Sequence, residues 1–282
     1  DSSAKQAYLD RYVSFFGPDA FDGLSIAVYQ HSGVGRDLLC ELFELLGATT
    51  IPLGRSNEFV PIDTEAVTNK DIAQAAKWAE QYDFDMIVST DGDADRPLIG
   101  DEKGNWLRGD VVGTLVAKYL EADCVVTPIS CNTVVEQCGW FETVKRTRIG
   151  SPYVIADMEA QKSKNIVGYE ANGGFLLGSD ISGEHSVLKA LPTRDAVLPM
   201  LALAALATQH KMPVSELAVL LPERYTYSDR LQEFAHERSN EILDSLRSGM
   251  HDVRLLLAPN SGCLVVTDNT DGFRATFENG DI

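Results

Sequence analysis

Apolar positions along the chain alternate between helical stripes and short β-branched runs. Tyr8, Val13, Phe15 and Phe16 fall on one face of a helix expected over 4–16, closed by Gly17-Pro18. Leu24 to Tyr29 reads as a strand, and a glycine-bearing turn, His31 to Arg36, follows it. The next stretch, 37–47, is helical, with Leu38, Leu39, Leu42, Leu45 and Leu46 forming its stripe. A second strand over 49–53 and a helix over 71–82 lead to Phe84, Met86, Ile87 and Val88. That run is short, partly β-branched and stopped by turn residues, so it predicts a buried strand. Strand, loop and helix repeating in this way is the opening of an α/β domain.

The alternation then starts again. Pro97 to Gly100 predicts a short strand, residues 102–105 a turn and residues 111–120 a helix. Strands over 124–129, 141–147 and 166–169 are interleaved with helices over 132–139 and 152–162. Thr193-Arg194-Asp195 precedes a strongly apolar helix to His210, with Thr193 or Asp195 as its cap. Pro213 to Pro222 breaks the pattern. An exposed connector over 225–230, a helix over 239–249 and a strand over 272–277 follow. The Asn-Gly pair at 279–280 signals a hairpin whose return strand starts only at Ile282. The expected fold class is α/β: two consecutive three-layer α/β domains, 1–105 and 106–219, then the beginning of an α+β domain over 220–282. A helix at once after Asp1 and a hairpin with one arm barely begun are expected of a piece of a longer protein.

Composition narrows the function. The chain of 282 residues carries a formal net charge of −18 at pH 7, which argues against nucleic-acid partners, since phosphate backbones need basic faces. An anionic substrate must be held by local Arg and Lys. Five cysteines (Cys40, Cys124, Cys131, Cys138, Cys263) without paired metal spacing suggest reduced thiols and a cytoplasmic setting. No apolar run reaches membrane length; Leu198 to Ala207 reads as a core helix.

The candidate chemistry centres on Asp91-Gly-Asp-Ala-Asp-Arg96. Asp91, Asp93 and Asp95 stand at alternate positions straight after a buried strand, and three carboxylates that close repel one another unless a cation sits among them. An all-oxygen set suits a hard divalent ion such as Mg2+. Arg96 adds a planar fork for a phosphate or a bridging carboxylate. A merely solvated acidic loop is the plain alternative. An EF-hand would align Asp91, Asp93, Asp95 and Glu102, but it needs glycine where Arg96 stands and helices on both sides. A strand followed by Asp-x-Asp also fits a phosphatase or phosphotransferase with Asp91 as nucleophile, and a non-catalytic calcium- or sugar-binding module is a further class.

A second loop, Glu170-Ala-Asn-Gly-Gly174, repeats the logic: buried strand, carboxylate, then glycines that allow close approach. Glu170 and Asn172 suit vicinal hydroxyls, and a glycine-rich hairpin with solvated polar residues suits the sequence equally. Lys145, Arg146 and Arg148 form a basic cluster at a strand end, either solvated or a phosphate dock. Arg194 is not accounted for by capping. Gly33 and Gly35 match neither standard phosphate-binding fingerprint and read as a tight turn into a helix.

Taken in order, Asp91 to Arg96, Gly168-Tyr-Glu-Ala-Asn-Gly-Gly174 and Leu221-Pro-Glu-Arg-Tyr-Thr-Tyr-Ser-Asp-Arg230 resemble the α-D-phosphohexomutase superfamily, phosphomannomutases and phosphoglucomutases. The likeness runs along essentially the whole chain. It implies a four-domain, Mg2+-dependent enzyme, with this chain as domains two and three and the start of four. It implies that Asp91, Asp93 and Asp95 hold the metal, that Arg96 is the catalytic residue beside it, and that Glu170 and Asn172 bind the sugar hydroxyls; Arg148 and Arg194 join them as substrate-binding candidates from the basic residues themselves, with Lys145 and Arg146 as alternatives for the phosphate. The family loop more often reads Glu-x-Ser-Gly, so Asn172 stands in the Ser position. The implied partners are hexose phosphate and hexose bisphosphate. The family's phosphoserine loop, Thr-x-Ser-His-Asn-Pro, does not occur in these residues. The resemblance therefore implies that the missing N-terminal domain and C-terminal remainder of a parent chain are needed for turnover.

Overall fold

The computed structural model describes residues 2–228, 231, 233–249, 252–257 and 260–281. Asp1, the connector's end at Asp229-Arg230 and the return-strand residue Ile282 lie outside the described residues.

Helix α1 (Ser2–Phe16) precedes the first sheet unit: β1 (Ser25–Tyr29), α2 (Arg36–Leu45), β2 (Thr49–Leu53), α3 (Asn69–Gln81), β3 (Met86–Thr90) and β4 (Pro97–Asp101). The second comprises α4 (Gly109–Tyr119), β5 (Cys124–Pro128), α5 (Val134–Gln137), β6 (Thr143–Thr147), α6 (Ser151–Ala160), β7 (Ile166–Tyr169) and β8 (Phe175–Leu177). It continues through β9 (Ile181–Ser182), β10 (Val187–Leu188), β11 (Leu191–Asp195) and α7 (Val197–His210). A 3-10 helix, Val214–Leu220, leads to α8 (His236–Arg247), α9 (Val253–Leu257), β12 (Leu264–Asp268), β13 (Arg274–Phe277) and β14 (Gly280–Asp281).

The two main sheets share a plan. The first has order β2-β1-β3-β4, parallel except for β4; the second has order β11-β8-β7-β5-β6, parallel over β6-β5-β7 and antiparallel at β8 and β11. In each, the third parallel strand, β3 or β7, ends in a loop and returns as an antiparallel neighbour. Those loops are the two acidic loops singled out in the sequence. β3 and β4 are buried at all their residues, as are β5 and β7, so their apolar runs are continuous rather than alternating. Thr68 caps α3 by accepting from the Asp71 N–H, which sets where that helix begins before β3.

One core joins the units. Leu198, Leu201 and Leu203 of α7 are fully buried, each contributing roughly 1.5–3 kcal/mol by leaving water. They share an apolar cluster with Tyr12 of α1, Leu42 of α2 and Val116 of α4.

Three expectations are corrected. Leu191 to Asp195 forms a strand paired to β8, so Arg194 and Asp195 end β11 instead of opening α7. The segment carries no strand signal in its sequence, because only Asp195 is buried in it. Even so, Asp195 Oδ1 accepts the Val197 N–H at 3.0 Å, a capping role from one step earlier. Pro213 to Leu221 holds a helical turn, since Val214 and Leu217 have apolar contacts to bury. The hairpin turns on Glu278-Asn279, because Phe277 pairs with Gly280 and places that glycine in the return strand β14.

Candidate active site

Asp91 follows β3 directly and is buried; its Oδ1 accepts the backbone N–H groups of Asp95 and Arg96, each at 3.2 Å. The loop is therefore wound around its own first carboxylate. Ala94 supplies the left-handed residue of the turn, at φ 62°. This winding brings one carboxylate oxygen from each of Asp91, Asp93 and Asp95 within 4.8 Å of the others. Burial, with the neighbouring Asp95 and Asp93 charges, raises the Asp91 pKa to about 6, although the Arg96 N–H counteracts it. Such a carboxylate gains from a cation.

Arg96 lies beside this set without closing onto it. Its Nε is 3.8 Å from Asp91 Oδ2 and 3.7 Å from Asp95 Oδ1, and it is buried without a hydrogen-bond partner. Asp95 Oδ1 is likewise buried and unpartnered. From the second sheet, Glu170 follows β7 directly; it is buried, and its Oε2 also has no partner. Burial pushes its carboxyl pKa up against the opposing pull of Arg194 and Arg96. Three polar atoms orphaned on groups that feel one another's charge are what a bound polar ligand would satisfy.

The loops are built to meet. Arg194 Nη2 lies 2.6 Å from Asp95 Oδ2, joining the end of β11 to the Asp91–Arg96 loop. A Cβ on Gly173, which sits at φ 87°, would lie 3.1 Å from the ring of Pro97, the residue after Arg96. Gly109 at the start of α4 is closer still: its Cβ would come within 2.2 Å of the Gly173 nitrogen. Thr64 Oγ1 donates to the Asn172 carbonyl at 2.7 Å, so a loop of the first unit grips the second. Asn172 Oδ1 accepts the Gly174 N–H, which leaves its amide NH2 as the group it offers.

The basic cluster divides. Arg146 donates to Glu136 at 2.7 and 2.8 Å and to the carbonyls of Pro128, Cys131 and Asn132, which makes it a staple between β6 and the loop after β5. Lys145 is exposed on β6. Arg148 is exposed and donates to the Thr270 carbonyl at 3.2 Å, while the Ile149 N–H donates to Asp271. Arg148 thus stands apart from the carboxylates. It adjoins a cleft of about 550 Å³ lined by Ile149, Asn132, Arg224, Asp271 and Arg274.

Two sequence models, described as phosphoglucomutase/phosphomannomutase alpha/beta/alpha domains II and III, match residues 6–104 and 108–225. The chain belongs to the phosphoglucomutase/phosphomannomutase family. A phosphomannomutase of Salmonella muenchen is 48% identical over 282 residues, covering 99% of this chain. The chain spans 58% of that relative's length. Among solved structures, a phosphoglucomutase/phosphomannomutase family protein of Burkholderia thailandensis superposes with a TM-score of 0.73 at 17% identity, over 99% of this chain and 56% of the other. An Aspergillus fumigatus N-acetylphosphoglucosamine mutase, solved with GlcNAc-6P and magnesium, superposes at 0.58 and 18% identity, over 87% of this chain and 62% of the other. None of these relatives supports the reading of Asp91 as an aspartyl nucleophile. Among the described residues no helix is long and apolar enough to cross a membrane.

Proposed function

We propose that this chain forms the metal- and sugar-binding part of a phosphohexomutase, acting as a phosphomannomutase, that interconverts hexose 1-phosphate and hexose 6-phosphate. The observation that carries the reading is the convergence of the two strand-end loops, with Asp95 Oδ1, Arg96 Nε and Glu170 Oε2 all buried there without partners. Asp91, Asp93 and Asp95 would hold Mg2+, and the donor chemistry fits, with three carboxylate oxygens within 4.8 Å and one of the carboxylates raised in pKa by burial and then by its acidic neighbours. A bound Mg2+ supplies charge neutralisation to a phosphoryl group in transfer.

The chain's own residues do the rest. Arg96 presents its unpartnered Nε to a phosphoryl oxygen at the reacting end. Arg194, already at Asp95, holds the same end from the other sheet. Glu170 accepts from a sugar hydroxyl through Oε2, and Asn172 donates from its amide. Arg148 is assigned to the phosphate at the far end of the hexose, beside the cleft that Ile149 lines. An enzyme phosphoserine would give its phosphoryl group to hexose 1-phosphate, leaving serine and a hexose bisphosphate. That intermediate turns over and returns the other phosphoryl group. Holding the ring by its hydroxyls, with a phosphate site at each end, allows both orientations. The serine would come from outside these 282 residues, in which its family string does not occur. A reducing cytoplasm suits the free cysteines.

The test is a coupled mutase assay with Mg2+ on the longer chain containing this sequence, offered mannose, glucose and glucosamine 1-phosphates. The expected result is turnover of mannose 1-phosphate that falls by orders of magnitude in Asp93→Asn, with the fold retained by circular dichroism. Near-normal turnover in that variant would overturn the metal assignment. Turnover by the 282-residue chain alone would place a nucleophile inside it and overturn the phosphoserine scheme.

A further inference from the structure

The turn between β1 and α2 does more than connect them. The ladder between β1 and β3 runs from Ile26↔Met86 to Val28↔Val88 and then stops. Beyond its end, the carbonyl of Thr90, the residue immediately before Asp91, is met by the His31 ring: Nε2 lies 2.9 Å from that oxygen. A carbonyl only accepts, so Nε2 carries the proton. His31 is 1% exposed, and its other ring nitrogen, Nδ1, is buried with no partner. Burying such a group is costly unless its geometry is needed.

Everything around the ring keeps it there. His31 adopts a left-handed φ of 29°, uncommon for a residue with a side chain. Its carbonyl is pinned by Arg36 Nη1 at 2.9 Å and by the Ser56 N–H at 2.9 Å. The ring packs edge-on against Tyr29, with centroids 5.3 Å apart. A Cβ on Gly33 would press on His31 Cε1 at 3.0 Å, so the glycine makes room for the imidazole. The same turn touches the metal loop twice more. The Val34 N–H donates to the Gly92 carbonyl at 3.2 Å, and Gly35 faces the Ala94 methyl so closely that an added Cβ would be 3.0 Å from it.

We propose that His31 is a positioning residue for the metal loop: through Thr90, and through the turn it heads, it fixes the backbone from which Asp91, Asp93 and Asp95 project. The two glycines that match no phosphate-binding fingerprint thereby acquire a role, as the spaces that let this turn lie against the Asp91–Arg96 loop. The proposal rests on the assignment of the three aspartates as ion ligands, and one arm of the test is independent of it.

That arm is amide hydrogen exchange in the ion-free chain at Asp95 and Arg96, whose N–H groups are bonded to Asp91 Oδ1. His31→Phe keeps a ring but removes the donor, and it should speed exchange at both sites about tenfold while strands β5 and β7 stay protected. His31→Gln, which restores an N–H at a similar reach, should return exchange towards the original rate. Gly33→Ala, which displaces the ring without altering it, should mimic His31→Phe. The second arm titrates Mn2+ by electron paramagnetic resonance, where His31→Phe should weaken binding about ten- to a hundredfold, as loss of outer-shell support commonly does. Unchanged exchange at Asp95 and Arg96 in both His31→Phe and Gly33→Ala overturns the proposal. Altered exchange with no Mn2+ binding by the original chain sinks the metal assignment and leaves the positioning role standing.

Discussion

The guanidinium of Arg194 reaches across from the second sheet to Asp95 in the first, with Nη2 and Oδ2 2.6 Å apart. The two residues are about a hundred positions apart in the chain, and their pairing joins the loop after β3 to the end of β11. The pair is partly shielded, with side chains 27% and 25% exposed, so it is worth more than an open surface ion pair. It also puts a fixed positive charge on a carboxylate assigned to the metal. Arg194→Met should therefore free Asp95 and tighten Mn2+ binding by roughly three- to tenfold, since about 1 kcal/mol of local repulsion is removed. On the proposed role of Arg194, turnover of hexose phosphate by a chain that includes the proposed serine should fall at least about tenfold, because a donor assigned to the phosphoryl group is lost. Calorimetric titration and the mutase assay check the two halves. Weaker ion binding in Arg194→Met would contradict the arrangement.

What holds Arg194 in place is its neighbour. Asp195 Oδ1 accepts from Tyr8 at 2.7 Å and Oδ2 from Tyr12, while the same Oδ1 caps α7. The carboxylate drives the phenols the same way: burial first, then Asp195, raises the pKa of both Tyr8 and Tyr12 well above the usual tyrosine range. Tyr12→Phe leaves a buried oxygen short of a donor and should cost about 1–3 kcal/mol. At roughly 2–4 °C per kcal/mol for a chain of this size, the melting temperature should fall by about 2–12 °C. Scanning calorimetry reads this directly, and an unchanged midpoint would refute it.

The Asp91–Arg96 loop carries strain at one residue. Ala94 at φ 62° pays for a left-handed conformation that glycine adopts freely, a cost of about 1 kcal/mol. Ala94→Gly should thus be neutral to stabilising by up to about 1 kcal/mol. Ala94→Val should be destabilising by at least about 2 kcal/mol, because a β-branched side chain there must also displace Gly35. Urea unfolding of the three chains orders them; Val equal to Gly would show the loop to be loosely held.

Much of this site was legible from spacing alone. Alternate aspartates after a buried run, and a carboxylate with glycines after another, were enough to mark both loops, because each strand's burial is written in continuous apolar residues. The convergence was not legible. Arg194 sits in β11, where three of the five residues before Val197 are polar or charged and the strand pairs at an edge, so no period announced it. Arg146 and Arg148 look alike in sequence, yet one is enclosed by carbonyls and Glu136 while the other faces Thr270; only the path of β6 separates them. His31 offered no signal, since its role depends on where the β1–β3 ladder stops.

Protons and the metal should compete at Asp91. Its folded-state pKa, raised to about 6 from 3.8, means that the ion-free folded chain holds this proton more tightly than the unfolded chain does. The stability Asp91 contributes is therefore fully present below pH 3.8, and is lost as pH rises through about 6, by at most about 3 kcal/mol. Asp91→Asn cannot ionise and should lack this loss, so in EDTA its stability relative to the original chain should rise between pH 4.5 and 7. Adding Mg2+ reverses the preference, because ligation requires the carboxylate. Ion affinity of the original chain should accordingly drop by up to about tenfold per unit below pH 6 and level off above it. Denaturant melts at the two pH values, with and without Mg2+, measure both effects. Parallel stability profiles for Asp91→Asn and the original chain in EDTA would show that Asp91 is not the group that titrates.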